Sequence, residues 1–389
     1  MRILEIETFG RGGLIHYTYN LACALAERGH QVTLLTTERY ELEERHLPNN
    51  LQVVKAIARL TNRHVSRIPS RWLGPTRSLE AGFDALKVAD FARRLKPDVI
   101  HFHSTNTSAL AYLELLRRLG IPLVATVHVV TPHEPIRFQN TIYRRIHRLG
   151  DLHIAHSHVD RCRLEEEFAV DPGTVVVIPH GEYGFFESEV EKQDRDRVRL
   201  DLGLSPQDKV ALFFGYIREY KGLDILLGAW PAVVEEVPEA RLLIAGDAGQ
   251  LTDARCDELA AWATRLGAVH RFGFIPFEEV ARYFAAADLL AMPYRSISQS
   301  GVLYLALSLG VPVVATAVGA LPEVLRDGES ALLIPPESPA DLTRALVRLL
   351  NDGELRHHLA EGGRRIASAH SWPIIAARTE KAFTDLIET

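Results

Sequence analysis

Short apolar runs recur along the first half of the chain. They are RILEI at 2–6, VTLLT at 32–36, LQVVK at 51–55, VIHFH at 99–103, PLVATVH at 122–128 and LHIAHS at 152–157. Amphipathic stretches with helical spacing, IHYTYNLACALAERG and TSALAYLELLRRLG, lie between several of them. Strand-length runs alternating with helix-length amphipathic segments predict a parallel sheet covered by helices on both faces. The pattern breaks at 186–208, FESEVEKQDRDRVRLDLGLSPQD, which is charged and poor in apolar residues and reads as a connection between domains. It then restarts with KVALFFGYI, ARLLIAG, VHRFGFI, DLLAMPY, VPVVAT and ALLIPP. The fold class expected is α/β, with two Rossmann-like domains at 1–185 and 209–370 facing one another across a cleft. The tail from Ser371 to Thr389 has a helical pattern. In open sheets of this kind, ligands bind outside the carboxyl ends of the strands.

Composition adds a few exclusions. A chain of 389 residues fits two domains of ordinary size. Hydrophobic content of 47% and charged content of 24% are those of a water-soluble globular protein. The three cysteines, Cys23, Cys162 and Cys256, have neither disulfide nor zinc spacing, so a cytoplasmic location is expected. No run of about 18 apolar residues predicts a membrane span. The net charge of −6 is uneven, with the first 180 residues net positive and the rest net negative. Arg59, Arg63, Arg67, Arg71 and Arg77, and again Arg137, Arg144, Arg145 and Arg148, concentrate the basic side. This is either an ordinary solvated face or a surface for an anionic acceptor or the inner face of a membrane. No nucleic-acid partner is expected.

Four places carry candidate chemistry. At 292–325, a polar loop ends in Ser300-Gly301 and enters an apolar helical run, which offers free amides and the positive end of a helix dipole to an anion. Gly10-Arg11-Gly12-Gly13 follows the first strand and lets backbone approach a ligand. It lacks the GxGxxG spacing, and no acidic residue ends the second strand, so a dehydrogenase is disfavoured. Arg218 and Lys221 follow the strand KVALFFGYI and are placed to meet one diphosphate through charge-assisted hydrogen bonds. His128 ends the strand PLVATVH, beside His101 and His103 of VIHFH. Two metal-like patterns, Asp194-Arg195-Asp196 and His153/His156/His158, lack matching partners, and no metal is expected.

Taken together, these segments resemble the retaining glycosyltransferases of family 4, which have the GT-B fold. The likeness runs from Met1 to the C-terminal helix and is strongest over 210–335. It implies transfer of a sugar, with retention, from a UDP- or GDP-linked donor to a hydroxyl of a glycan, lipid-linked or small-molecule acceptor, without a cofactor. By resemblance, the amides of Gly12 and Gly13 and of Gln299, Ser300, Gly301 and Val302 would face the diphosphate. Arg218 and Lys221 would stabilise it as it leaves. His128 would position the sugar, Phe274 and Ile275 would meet the base, and Glu323 would touch the donor or cap a helix. The last helix would cross back onto the first domain.

The sequence also departs from the family. Tyr216 stands where an Arg usually follows the glycine. Two expected glutamates fall on Ile297 and Leu305, giving a Ser-Gly-Val form of the loop. A non-catalytic protein that binds a nucleotide sugar or glycan, or a sugar-nucleotide epimerase, is therefore kept as an alternative. Loops 59–82 and 130–148 are where an acceptor would be chosen.

Overall fold

The computed structural model describes residues 1–43, 45–58, 70–104, 106–131, 139–249 and 251–389. Arg59, Arg63, Arg67 and Arg137 of the basic stretches, with the side chains of Arg71 and Arg77, lie outside the described residues. The chain divides into two compact units. One is Met1–Gly181 together with Trp372–Thr389, and the other is Glu182–Ser371.

The first unit is built on seven parallel strands: β1 (Arg2–Ile6), β2 (Gln31–Thr37), β3 (Leu51–Ile57), β4 (Val99–Ser104), β5 (Leu123–Val127), β6 (Leu152–Ala155) and β7 (Val175–Val177). Their order is β3-β2-β1-β4-β5-β6-β7, so the order reverses between β1 and β4. Ile3 lies beside Val99, and Glu5 beside His101, across that switch point. Leu4, Ile6, Ile100, Phe102 and Leu123 are buried with Leu113 and Leu116 of the helix Ala109–Arg117 in one apolar cluster. The first helix, α1 (Gly13–Glu27), and the last, Trp372–Glu388, both belong to this unit. They meet through Tyr17, whose ring lies edge-on to Trp372 at 5.2 Å.

The second unit has six parallel strands: β8 (Lys209–Phe214), β9 (Ala240–Gly246), β10 (Val269–Phe272), β11 (Leu289–Met292), β12 (Val313–Thr316) and β13 (Leu332–Ile334). Their order is β10-β9-β8-β11-β12-β13. The two-residue period of β8 is visible in its packing. Val210, Leu212 and Phe214 join the core on one face, and Ala211 and Phe213 join the core on the other. Both faces are apolar because helices cover both.

The charged stretch 186–208 is folded into this unit. It forms the short helices Glu187–Glu191 and Arg195–Asp201. Val198 and Leu204 enter the core, and buried Arg199 pairs with Asp288 while donating to the carbonyls of Ala286, Pro206 and Asp208. The charges of Arg195 and Arg199 are thus spent on local ion pairs and carbonyls. Among the described residues, no helix is long and apolar enough to cross a membrane.

Candidate functional site

In the second unit, β8 ends at Phe214, just before Gly215, and a short turn, Glu219–Lys221, follows. Gly222 closes the turn in the left-handed region, φ 69°. A side chain there would stand 2.0 Å from the carbonyl oxygen of Pro293, so glycine is required twice over. The turn buries Lys221, which is 5% exposed. Its Nζ lies 5.1 Å from the centroid of the Tyr294 ring and has no hydrogen-bond or carboxylate partner among the described residues. Burial, and further the positive charge of Arg218, lower its pKa. Arg218 stacks at 5.1 Å over exposed Tyr216, and its Nη1 is buried without a partner. Two cations are thus held near one strand end with their charge uncompensated.

The loop 297–302 lies beside them. The position a Gly215 side chain would take is 2.9 Å from Val302 Cγ2 and 3.3 Å from Lys221 Nζ, so the lysine head and the start of the helix Gly301–Ser308 share one corner. Ser300 caps that helix, its hydroxyl accepting from the Leu303 amide. The amides of Gly301 and Val302 donate to nothing among the described residues, as the first turn of a helix requires. Ser298 Oγ and Gln299 Oε1 are buried without partners. Phe274 is 43% exposed, Ile275 packs partly on the core, and the Gly273 amide donates to Gly246 across the strand ends. Glu323 stands exposed on the turn Leu321–Val324. Ile297 and Leu305 are 9% and 5% exposed within one apolar cluster, so core packing occupies both positions where carboxylates were expected by resemblance.

The corresponding groups of the first unit are arranged differently. After β1, the amides of Phe9 and Gly10 donate to the Glu7 carboxylate at 2.6 and 2.7 Å. The amide of Gly12 donates to Glu41 at 3.1 Å, and Glu41 also holds His16 at 2.7 Å. Burial works to raise the Glu41 pKa, but the His16 ring and the Gly12 amide outweigh it and hold it low. Gly13 opens α1, and its amide has no partner among the described residues. An anion at Gly12 would therefore have to displace a carboxylate.

His128 is buried, with both ring nitrogens engaged: Nε2 with His103 Nδ1 and Nδ1 with His156 Nε2, each at 3.1 Å. Its ring has no nitrogen left for a sugar hydroxyl in this arrangement. Burial, reinforced by the neighbouring histidines, drives its pKa well down. Glu5 and Glu41 were not singled out from the sequence, whereas His103 was read only as a neighbour of His128 and His156 only as part of a metal-like pattern. The available signal was a histidine at the end of one strand after another, VIHFH, PLVATVH, LHIAH and VIPH. Of the patterns read as metal-like, Asp194 caps the helix Arg195–Asp201, and Arg195 pairs with Asp288. His156 belongs to the histidine row, whereas His153 lies beside His147.

Two parallel, helix-covered sheets, with ligand-ready groups at the strand ends, define a protein of the GT-B class. Comparison with known proteins agrees. Residues 11–181 match the model described as Glycosyltransferase Family 4, and residues 208–352 match Glycosyl transferases group 1. D-inositol 3-phosphate glycosyltransferases from Segniliparus rotundus and Actinosynnema mirum are each 30% identical, over 72% and 93% of this chain. The matched part spans 64% of the length of the first relative, just under two thirds, and 89% of the second. The solved structure of Anabaena HepE in complex with UDP-glucose superposes with a TM-score of 0.76 at 20% identity, covering 99% of this chain and 100% of that one. The chain belongs to the family 4 glycosyltransferases, a retaining family that uses nucleotide-sugar donors.

Proposed function

We propose that this protein transfers a hexosyl group, with retention, from a UDP-sugar to a hydroxyl of a small phosphorylated polyol of the inositol phosphate kind. The observation that carries the reading is the uncompensated pair Arg218 and Lys221 beside the open amides of Gly301 and Val302. A leaving nucleoside diphosphate gains negative charge as the glycosidic bond breaks, and fixed donors aimed at that charge lower the barrier. The HepE complex with UDP-glucose supports the choice of donor, and the relatives' names support the acceptor.

The acceptor hydroxyl attacks from the face that the diphosphate leaves, and an oxygen of the departing phosphate takes its proton. Arg218, Lys221 and the helix N-terminus neutralise the diphosphate, so transfer proceeds in EDTA. The Ser-Gly-Val loop marks a variant of the family in which Ser298 or Gln299 takes over part of the ribose contact from the missing carboxylates. A set of UDP-hexoses incubated with inositol 3-phosphate, with product read by mass spectrometry and the anomeric linkage by NMR, tests this. Expected is one hexosyl–inositol phosphate with the donor's anomeric configuration. An isomerised nucleotide sugar would make the protein an epimerase. UDP binding without turnover would favour the binding-protein reading, for which Ile297 and Leu305 speak.

A further inference from the structure

A row of hydrogen bonds crosses the first sheet at its carboxyl edge, taking one group from each successive strand. Glu5 lies on β1, His103 on β4, His128 just after β5, His156 just after β6, and the carbonyl of Ile178 just after β7. Glu5 Oε2 meets His103 Nε2 at 2.7 Å, His103 Nδ1 meets His128 Nε2 at 3.1 Å, and His128 Nδ1 meets His156 Nε2 at 3.1 Å. His156 Nδ1 then donates to the Ile178 carbonyl at 3.0 Å. All four side chains are buried.

Glu5, His101 and His103 also have donor atoms close enough to suggest a shared metal ion. The spacing argues against one. His101 Nδ1 and His103 Nε2 lie 2.9 and 2.7 Å from Glu5 Oε2. Ligands of a tetrahedral zinc with bonds of about 2.0–2.1 Å would stand roughly 3.3 Å apart. These are hydrogen-bond distances.

Counting protons makes the row informative. Each hydrogen bond needs one proton, and a neutral imidazole supplies one. The row has four bonds, three rings, and an acceptor at either end: a carboxylate and a carbonyl. Three neutral rings leave one bond without a proton. His101 cannot supply it, because its Nδ1 is engaged with Glu5 and its Nε2 with the Thr126 hydroxyl at 2.6 Å. Burial acts to raise the Glu5 pKa, but His101 and His103 hold it down at about 2, so the extra proton does not belong on the carboxylate. Burial drives each ring toward the neutral form and so works against the excess proton, a pull that the Glu5 carboxylate opposes at His103.

We propose that His103, His128 and His156 share a single excess proton, held against the Glu5 carboxylate, and that this row fixes the orientation and charge of His128. Among the described residues, the titratable groups packed around His128 are His101 and His103 from β4, Glu5 from β1, His156 after β6, His180 after β7 and Tyr17 from α1. Tyr17 lies edge-on to His103, His128, His156 and His180 at 4.8–5.6 Å between ring centres and packs the row in place. Glu5, His103 and His156 are positioning residues that act through the charge and orientation of the His128 ring, whose two nitrogens are both engaged within the row. That last step rests on the proposed transferase reading, whereas the proton count does not.

The test is histidine-selective nitrogen-15 NMR of the full-length protein at pH 8. Expected are four protons over the six nitrogens of the three rings, with an imidazolium contribution surviving far above the ordinary histidine range. Three protons, one on each ring, would overturn the proposal. In Glu5→Gln the amide nitrogen donates to His103 Nε2, so four bonds form without an excess proton. All three rings should then be neutral with the proton on Nδ1. If that variant does not fold, the wild-type count decides alone.

In a folded Glu5→Gln, kcat should fall by up to roughly a hundredfold, the cost of a misplaced group, with the donor KM nearly unchanged. Wild-type kcat in that variant, with the proton lost, would overturn the positioning role. Four protons in a wild type without transferase activity would sink the transferase reading and leave the row standing. Three protons in an active wild type would do the reverse.

Discussion

The two sheets end in opposite ways. At the carboxyl edge of the first, polar groups are satisfied by the protein itself: Glu7 and Glu41 hold glycine-loop amides, and His128 is held at both nitrogens by other histidines. At the corresponding edge of the second, Lys221, Nη1 of Arg218 and the amides of Gly301 and Val302 have no partner among the described residues. Buried polar groups are ordinarily paired, so a cluster of unpaired ones calls for a ligand. The sign of the cluster says which ligand: positive charge and open amides call for an anion. The first edge is preorganised, whereas the second is unsatisfied until something binds.

The sharpest way to break this contrast is Lys221→Ala. If the second edge stabilises a departing diphosphate, kcat should fall roughly 100- to 1000-fold, the loss seen when one preorganised donor to a developing anion is removed. The burial of Lys221 gives the variant a second signature. Removing an uncompensated buried cation should leave thermal stability in the absence of nucleotide unchanged or higher. Normal turnover, or a fall in stability without a fall in turnover, would make Lys221 structural.

The first edge is broken by acid. Its unit also buries His147 and His153, each lowered by burial from 6.5 to about 4. Folded protein therefore binds fewer protons than unfolded protein between those values. Stability is full above pH 6.5 and declines as pH falls toward 4, by up to about 3 kcal/mol per ring. His147 donates to the Val130 carbonyl at 3.0 Å, and in His147→Gln the slope should shrink by that one ring's share. Urea midpoints between pH 7 and 4 measure it, and an unchanged slope would show that other groups carry the acid sensitivity.

The fold was legible in the sequence because both sheets are covered on two faces, and their strands read as apolar runs. The predicted strands overran where chemistry begins. PLVATVH stops at Val127, before His128, and VHRFGFI stops at Phe272, before Gly273. Strand β7, three residues long at the sheet edge, has too little pattern to stand out. The charged segment 186–208 read as a connection because charge density hides where each guanidinium goes. Arg199 is buried because four hydrogen bonds receive it. The cations at 218 and 221 were readable from one local segment. The histidine row was not, since it joins residues up to 173 positions apart, from Glu5 to Ile178, through the order of strands rather than through any local spacing.

A smaller effect sharpens the account of how the second edge is held. Gly222→Ala places a side chain in the left-handed region, facing the Pro293 carbonyl. The cost should be at least about 1–3 kcal/mol, visible as a lower melting temperature. Because this turn sets the position of Lys221, UDP affinity should fall with it. Unchanged affinity in a destabilised variant would show that the turn does not position the lysine.

The smallest effect concerns the C-terminal helix of the first unit. Glu380 accepts from Arg28 and meets His30 Nε2 at 3.1 Å, tying the helix to the end of α1. The arginine and glutamate side chains are 39% and 26% exposed, so solvent screens the pair. Glu380→Gln should cost only about 0.2–1 kcal/mol, and less at high salt. The apolar anchors of the same helix are buried Ile375 and Phe383, with the Phe383 ring edge-on to His101 at 5.2 Å. Phe383→Ala should therefore cost about 3–5 kcal/mol. If Glu380→Gln destabilised as much as Phe383→Ala, charge rather than packing would hold the helix. The satisfied first edge would then owe its order to surface electrostatics, which salt titration of the melting temperature would reveal directly.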